Sequence, residues 1–319
     1  MIKKSGFIGN SKLDIQVDIL LATYNGSEFI EDQLNSIEAQ TYKNWRVWAS
    51  DDGSTDGTIE ILEKWALKLG STRLIILKGP GNGFVENFQF LIKNSPVNGN
   101  YIAFCDQDDV WMNNKIERAI NILCKINKNV PAIYCSRTEI IDKNGDKTNR
   151  LSPLFKRKPS FSNALVQSIA GGNTMILNSS AHNLLAQYTT LIPISHDWWA
   201  YQIVSGASGN IFYDINPSVY YRQHGKNIIG ENMSLVSRFN RFKFLINGGF
   251  YNWNSVNISC LEIAYQSLSD NNKTELNNFK TIRSCGFFLR LIRILNIKIY
   301  RQTFIGNIGL TIGLIIKKI

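Results

Sequence analysis

The sequence predicts an α/β protein: a Rossmann-like, mostly parallel sheet flanked by helices, with a helical carboxyl-terminal extension. Three observations carry that reading. Through residue 105, short apolar runs of strand length alternate with segments whose apolar residues recur at helical spacing, the pattern of right-handed βαβ units. Acidic clusters follow two of those runs, and open α/β sheets bind ligands beyond the carboxyl ends of their strands. Finally, residues 231–319 carry 12 Lys plus Arg against 4 Asp plus Glu, a net of +8, whereas residues 1–230 are nearly balanced at +2.

Residues 17–22 are the first strand, short, apolar and β-branched. Ser27 is placed to cap a helix running to about residue 40, on Phe29, Ile30, Leu34 and Ile37. A second strand covers 45–49 and a second helix 58–69, which Asp56 can cap. The third strand, 74–77, leads through Gly79, Gly81 and Gly83 into a helix over 84–93, and 101–105 is the fourth strand. Beyond residue 126 the alternation breaks. Strand candidates there are 132–134, 174–177 behind Gly171 and Gly172, 210–214 and 219–221, with a turn at 142–147.

A chain of 319 residues holds one or two domains, and 44% hydrophobic content excludes disorder and collagen-like architecture. Five cysteines without a CxxC pair argue against a disulfide framework or zinc ribbon and for a reducing compartment. Residues 1–10 lack the apolar run of an export signal. No stretch supplies the roughly 18–20 apolar residues of a membrane-spanning helix. The net charge of +10 leaves nucleic acid, anionic lipid or a phosphate-bearing substrate open.

The strand ends narrow that choice. Thr23, Tyr24 and Asn25 follow the first strand, Asp51, Asp52 and Asp56 the second, and Asp106, Gln107, Asp108 and Asp109 the fourth. Three acids within four residues repel one another unless a cation sits among them, and hard oxygen donors suit Mg²⁺ or Mn²⁺ with substrate phosphates. A lone Asp pair reads first as a solvated turn; two clusters at neighbouring strand ends favour a shared site. The chain has no GxxxxGK[ST], and its glycine-punctuated turn follows the third strand, not the first. Phosphates are therefore expected to be held through a metal.

The run DILLATYNGSEFIEDQLNSIEAQTYKNWRVWASDDGSTDGT, followed by YIAFCDQDDVW, resembles family 2 glycosyltransferases of the GT-A fold over roughly residues 15–225. GGNTMIL, HDWW and YRQHG are similar to segments of bacterial rhamnosyltransferase-like members. The resemblance implies inverting transfer of a sugar from a nucleotide diphosphate, dTDP-rhamnose favoured over a UDP-sugar. The implied acceptor is a glycan or lipid-linked oligosaccharide of O-antigen or capsule synthesis.

Carried over by position, Thr23 and Tyr24 line the base pocket with Asn25, Tyr24 either stacking on a pyrimidine or simply packing. Asp52 accepts from the base, and Asp51 supports its loop. Asn82, Gln107 and Arg222 contact the nucleotide side. Asp106 touches ribose or metal, Asp108 is the metal ligand, and His224 completes the metal shell. Asp109, Gly171 and Gly172 face the sugar or acceptor. Asp197 is the base that takes the acceptor proton, with His196 either orienting it or idle. Trp198 and Trp199 offer sugar-stacking faces or pack in the core. A nucleotidyltransferase, or a non-catalytic nucleotide-sugar or glycan-binding protein, is the alternative.

These readings divide the chain into a catalytic domain, 1–230, with a nucleotide-sugar half (15–126) and an acceptor half (127–230), and a basic helical segment, 231–319. In that segment Arg290, Arg293, Lys298 and Arg301 fall on one helical face about 140° wide. A basic amphipathic helix of this kind lies on an anionic membrane, or else packs on the catalytic domain or a second subunit. The expected location is cytoplasmic, peripheral on the inner face of the cell membrane. Nucleic acid is not an expected partner, because no recognition motif accompanies the charge.

Overall fold

The computed structural model describes residues 15–96, 100–224 and 235–319. Residues 1–10, which lack an export-signal run, and the boundary at 230/231 lie outside the described residues.

Four strands, β1 (Val17–Thr23), β2 (Trp45–Asp51), β3 (Leu74–Lys78) and β4 (Tyr101–Cys105), pair in parallel in the order β3-β2-β1-β4. The connecting helices are α1 (Ile30–Glu38), α2 (Thr58–Leu69) and α3 (Phe84–Asn94). Because side chains alternate along a strand, β1 builds two cores. Ile19 and Leu21 pack under α1, α2 and α4 (Lys115–Leu123), against Leu34, Leu62, Trp65 and Ile120. Leu20 faces the other way, into a core shared by Phe88 of α3, Phe104, Leu185 and Trp199. Each such side chain, fully buried, contributes about 1.5–3 kcal/mol.

The parallel order changes beyond β4. The short β8 (Ile176–Leu177) runs antiparallel between β4 and β6 (Ala132–Ile141). β6 pairs in parallel with β9 (Asn210–Arg222), whose outer edge takes the two-residue β5 (Val110–Trp111), and β7 (Lys147–Leu151) pairs antiparallel with β6. The two separate strand candidates at 210–214 and 219–221 are thus one strand, interrupted by a register shift opposite Ser136 and Thr138. Pro217, which cannot donate to a ladder, falls in that irregular stretch. The shift lets Pro217 and Asn216 offer their carbonyls to Arg118.

One cap is placed differently from the expectation. No side chain caps α1, which starts at Ile30. The Ser27 amide and hydroxyl instead donate to Asp56 Oδ2, at 3.0 and 2.8 Å, while Asp56 Oδ1 accepts from the Thr58 amide and hydroxyl. Burial raises the Asp56 carboxyl, but the hydrogen bonds from Thr58 and Ser27 outweigh it and hold it at about 2. Ser27 therefore ties the β1 loop to the start of α2.

The remaining helices are α5 (Phe161–Ala164), α6 (Ser179–Ala186), α7 (His196–Gly206), α8 (Leu235–Ile246), α9 (Gly249–Ile263), α10 (Asp270–Ser284), α11 (Phe287–Asn296) and α12 (Phe304–Ile315). Leu276 and Phe279 of α10 and Leu310 and Leu314 of α12 join the same core as Phe161 and Trp199. A polar seam closes the contact: Gln302 and the Arg157 backbone exchange two hydrogen bonds of 3.0 Å, and Asn163 donates to the Tyr300 carbonyl. The inner side of the extension thus packs on the catalytic core.

The single basic face over 290–301 is not present. The helix stops at Asn296, and Ile297 is already extended, so the wheel that aligned the four cations does not continue. Arg290 is 3% exposed and donates to the carbonyls of Ile282, Cys285 and Ile315. Those carbonyls belong to the ends of α10 and α12, where no intrahelical donor remains. Arg301 donates to the Val166 carbonyl, and burial with the nearby Arg241 pulls its guanidinium down to about 10.

Candidate active site

The carboxyl ends of β1, β2 and β4 form adjoining loops. Asp51, the last residue of β2, is spent on them: its oxygens accept from Thr23 Oγ1 at 2.9 Å, from Ser54 Oγ, and from the amides of Gly53 and Ser54. Asp52 accepts the amides of Gly81 and Gly83, each at 2.7 Å, and so fastens the glycine loop after β3 across the sheet. A Cβ on Gly79 would meet the Asp51 carbonyl at 2.8 Å and Asp52 Oδ1 at 2.9 Å, so this close approach requires glycine. Each Asp52 oxygen keeps a second lone pair for a ligand.

Asn25 holds a left-handed conformation (φ 47°), with its amide donating to Ser54 Oγ and its side chain accepting from the Thr55 amide. Tyr24 leaves its ring 58% exposed, while its backbone exchanges two 2.9 Å hydrogen bonds with the Gln107 side chain. Gln107 thereby ties the β1 loop to the β4 loop. Asn82 is exposed and donates to Glu86.

After β4 the acids diverge in role. Burial first, then Asp108 and Asp197, push the Asp106 carboxyl up to about 7, against the pull of Lys115. The charges of Asp108 and Asp197 thus bear on Asp106. Asp108 Oδ2 lies 2.8 Å from His224 Nε2, and that imidazole stacks on Phe29 at 4.9 Å. Among the described residues no cluster of three or more His, Cys, Asp or Glu forms a protein cage for a metal. One carboxylate beside one imidazole nevertheless fits a hard divalent cation that takes its other ligands from phosphate and water.

Asp109 is fully buried, and its oxygens accept from Asn173 Nδ2 and the Arg222 amide. It faces the interior and not an acceptor. Arg222 is also internal: it donates to the carbonyls of Asp108 and Lys143 and to Asp32 Oδ2, at 3.0, 2.9 and 2.8 Å. In place of the expected contact with a diphosphate, it braces the β4 loop against α1 and the β6–β7 turn. Its guanidinium also lies 4.9 Å over the Phe29 ring.

α7 enters the site at its amino terminus. Asp197 Oδ1 accepts from Ser195 Oγ and from the Trp198 amide at 2.6 Å, which fixes the carboxylate. Ser195, not His196, orients it. The His196 ring lies 3.7 Å from that of Phe88 and edge-on to Phe104, with neither nitrogen hydrogen-bonded, and burial pulls it down to about 4. A Cβ on Gly172 would fall 2.2 Å from His196 Nε2, and one on Gly171 would fall 2.7 Å from Asn173 Oδ1. Both glycines thus answer to packing within the protein. Every residue of α7 is buried, so Trp198 and Trp199 are core side chains and present no sugar-stacking face. Trp198 donates to the Ala164 carbonyl, and Trp199 packs edge-on to Tyr188.

Three residues here carried no readable signal. Ser195 and Asn173 are ordinary polar residues in the sequence. Lys115 begins α4, where a lysine reads as solvated, yet it is fully buried. Its ammonium donates to the Asn173 carbonyl at 2.6 Å and lies 3.2 Å over the Trp111 ring; burial pulls it down to about 7. Lys115, Asn173, Asp109, Arg222 and Asp108 form one connected network beneath the site.

Comparison with known proteins adds to this geometry. Residues 18–185 match the family model described as Glycosyl transferase family 2. The chain is 33% identical over 238 residues to the dTDP-rhamnosyl transferase RfbG of Shigella flexneri, covering 71% of this chain and 79% of that protein. It is 28% identical over 171 residues to the Escherichia coli UDP-Glc:alpha-D-GlcNAc-diphosphoundecaprenol beta-1,3-glucosyltransferase WfgD, covering 53% of this chain and 63% of that protein. Among solved structures, Staphylococcus aureus TarS in complex with UDP-GlcNAc superposes with a TM-score of 0.55 at 16% identity, covering 88% of this chain and 73% of that one. That likeness is one of fold.

Proposed function

The chain belongs to glycosyl transferase family 2, and from that premise we propose an inverting, metal-dependent transferase that moves rhamnose from dTDP-rhamnose to a lipid-linked or polysaccharide acceptor. The Asp108–His224 pair in the loop after β4, with Asp197 held at the start of α7, carries the chemistry, and the relationship to a dTDP-rhamnosyl transferase favours the donor over a UDP-sugar. Likeness to WfgD, whose name specifies a diphosphoundecaprenol acceptor, supports a role in O-antigen or capsule synthesis at the inner face of the cell membrane. No helix among the described residues is long and apolar enough to cross a membrane, which is compatible with peripheral attachment.

In this reading the donor's base lies against the exposed ring of Tyr24 and donates to Asp52, whose position Gly81 and Gly83 set. Asp108 and His224 would hold Mn²⁺ or Mg²⁺ together with substrate phosphate and water, and the bound ion would neutralise charge gathering on the leaving diphosphate. Asp197 accepts the proton of the acceptor hydroxyl as that oxygen bonds to the anomeric carbon. The carbon–oxygen bond to the diphosphate breaks on the opposite face, and its electron pair leaves with the diphosphate. Lys115, Asn173, Asp109 and Arg222 touch no substrate and keep the β4 loop in place.

The test is a panel of nucleotide sugars offered with Mn²⁺ or Mg²⁺, scored by thermal stabilisation and slow hydrolysis. dTDP-rhamnose should stabilise the protein most, and Asp108→Asn or EDTA should abolish the metal-dependent part. Stabilisation by a nucleotide sugar that ignores both would remove the metal role. Preference for a UDP-hexose would remove rhamnose.

A further inference from the structure

With Arg290 and Arg301 turned inward, the outer faces of α11 and α12 are apolar. Phe288, Ile292 and Leu295 repeat at i, i+4 and i+7 on α11, and Ile305, Ile308, Ile312 and Ile316 run along and just past α12. Phe288 is 81% exposed, Leu295 85% and Phe304 80%. Exposed apolar residues are ordinary singly, but stripes of them on two helices mark a surface that something covers. The Arg290–Ile315 hydrogen bond holds the two helices together.

The charges carried by α11, α12 and the residues after them have one sign. No acidic residue follows Glu275. Arg293 lies in a groove between α10 and α11, beside Ile282, Leu289 and Ile297, and its Nε has no hydrogen-bond partner. Lys317, just past α12, is exposed.

We propose that α11 and α12 form the docking surface for an anionic lipid bilayer: Phe288, Leu295, Phe304 and Ile305 enter the acyl boundary, and Arg293 and Lys317 meet lipid phosphates. The inference deepens the membrane-face reading above and rests on it. Charge selects the occupant. A second copy related by a two-fold axis would set this patch against itself, bringing Arg293 and Lys317 toward their own duplicates with no acid between them. Anionic headgroups complement the same cations. Shape agrees, because side chains exposed by four-fifths stand clear of their own protein and a fluid acyl layer closes around them without a matching cavity.

The experiment is cosedimentation of the full chain with vesicles of phosphatidylcholine alone or with one quarter phosphatidylglycerol. Wild type should pellet with the anionic vesicles. The double variant Phe288→Glu/Leu295→Glu should lose at least about tenfold in partitioning with unchanged melting temperature and nucleotide-sugar hydrolysis. Arg293→Gln should lower the preference for anionic vesicles about fivefold. A wild type that stays in the supernatant, or a double variant that pellets as well as wild type, overturns the proposal. So does a wild-type dimer in sedimentation velocity that the double variant splits while vesicles bind neither. Absent nucleotide-sugar turnover with vesicle binding intact would fault the transferase reading and leave the docking surface standing.

Discussion

The loop after β4 and the helices after residue 285 both set ionised residues beside long apolar runs, and they dispose of the charge in opposite ways. In the β4 loop the acids stay buried or half-buried, Asp109 on Asn173 and the Arg222 amide and Asp108 on His224. Two of them, Asp109 and Asp106, are pushed up by burial and by their neighbours, and a buried lysine sits beneath them. In the carboxyl-terminal segment Arg290 turns inward as a donor to helix-end carbonyls and Arg301 as a donor to the Val166 carbonyl, leaving isoleucine, leucine and phenylalanine outside. The difference lies in what each backbone leaves unsatisfied. Parallel strand ends present a concave polar rim that collects ligands, whereas short helices packed at angles present orphan carbonyls that collect guanidinium groups.

Asp197→Asn should separate the two regions most sharply. Its Oδ1 contacts with Ser195 and the Trp198 amide can survive the change, but asparagine cannot take a proton. Transfer should fall by about 10²–10⁴, while donor binding and vesicle sedimentation remain those of wild type. A variant with near-normal kcat removes Asp197 as the base. One that also stops pelleting with vesicles would mean that the two regions are coupled.

Arg290→Met against Arg293→Gln sharpens the other side. Removing the Arg290 guanidinium leaves the Cys285 and Ile315 carbonyls without a donor and the Ile282 carbonyl with only the weak Cys285 thiol, at roughly 1–3 kcal/mol for each one that water cannot reach. Denaturant unfolding should show a loss of about 2–4 kcal/mol. Arg293 is held by no carbonyl, so Arg293→Gln should stay within about 0.5 kcal/mol and change only lipid preference. Equal losses in the two variants would erase the distinction between a cation spent on carbonyls and a half-buried one that is not.

Much of the parallel half was legible because its signals are local. An apolar run of strand length, a glycine-rich turn and a helical repeat each declare themselves within a few residues, and β1 to β4 with α1 to α3 lie within a few residues of the expected ranges. What escaped the sequence depends on contacts distant in the chain. β5 has two residues and exists only because β9 lies beside it. Ser27 had a helix to cap close by, but Asp56 took its hydroxyl across the sheet. Asp109 and Arg222 stand next to ligand-type residues in the chain, and adjacency does not say which side of the loop a side chain takes. The helical wheel over 290–301 assumed a helix that β-branched Ile297 and Ile299 do not continue.

Lys115 is the residue on which the first region's argument turns, and its effect should be the smallest of the three. A lysine at the start of a helix costs little in water, yet here its ammonium is buried between the Asn173 carbonyl and the Trp111 ring, with Asp106 and Asp109 as the nearest charges. Lys115→Met keeps the aliphatic stem and removes the donor, leaving the Asn173 carbonyl without its partner, and should cost about 1–3 kcal/mol in denaturant unfolding. It also removes the cation that opposes the rise of the Asp106 carboxyl, so the metal-dependent stabilisation by a nucleotide sugar should weaken in the same variant. Lys317→Met, made on the exposed carboxyl-terminal surface, should do neither. If Lys115→Met unfolds at the wild-type midpoint, the network beneath the β4 loop does not hold it, and the inward turn of charge in that loop serves the ligand alone.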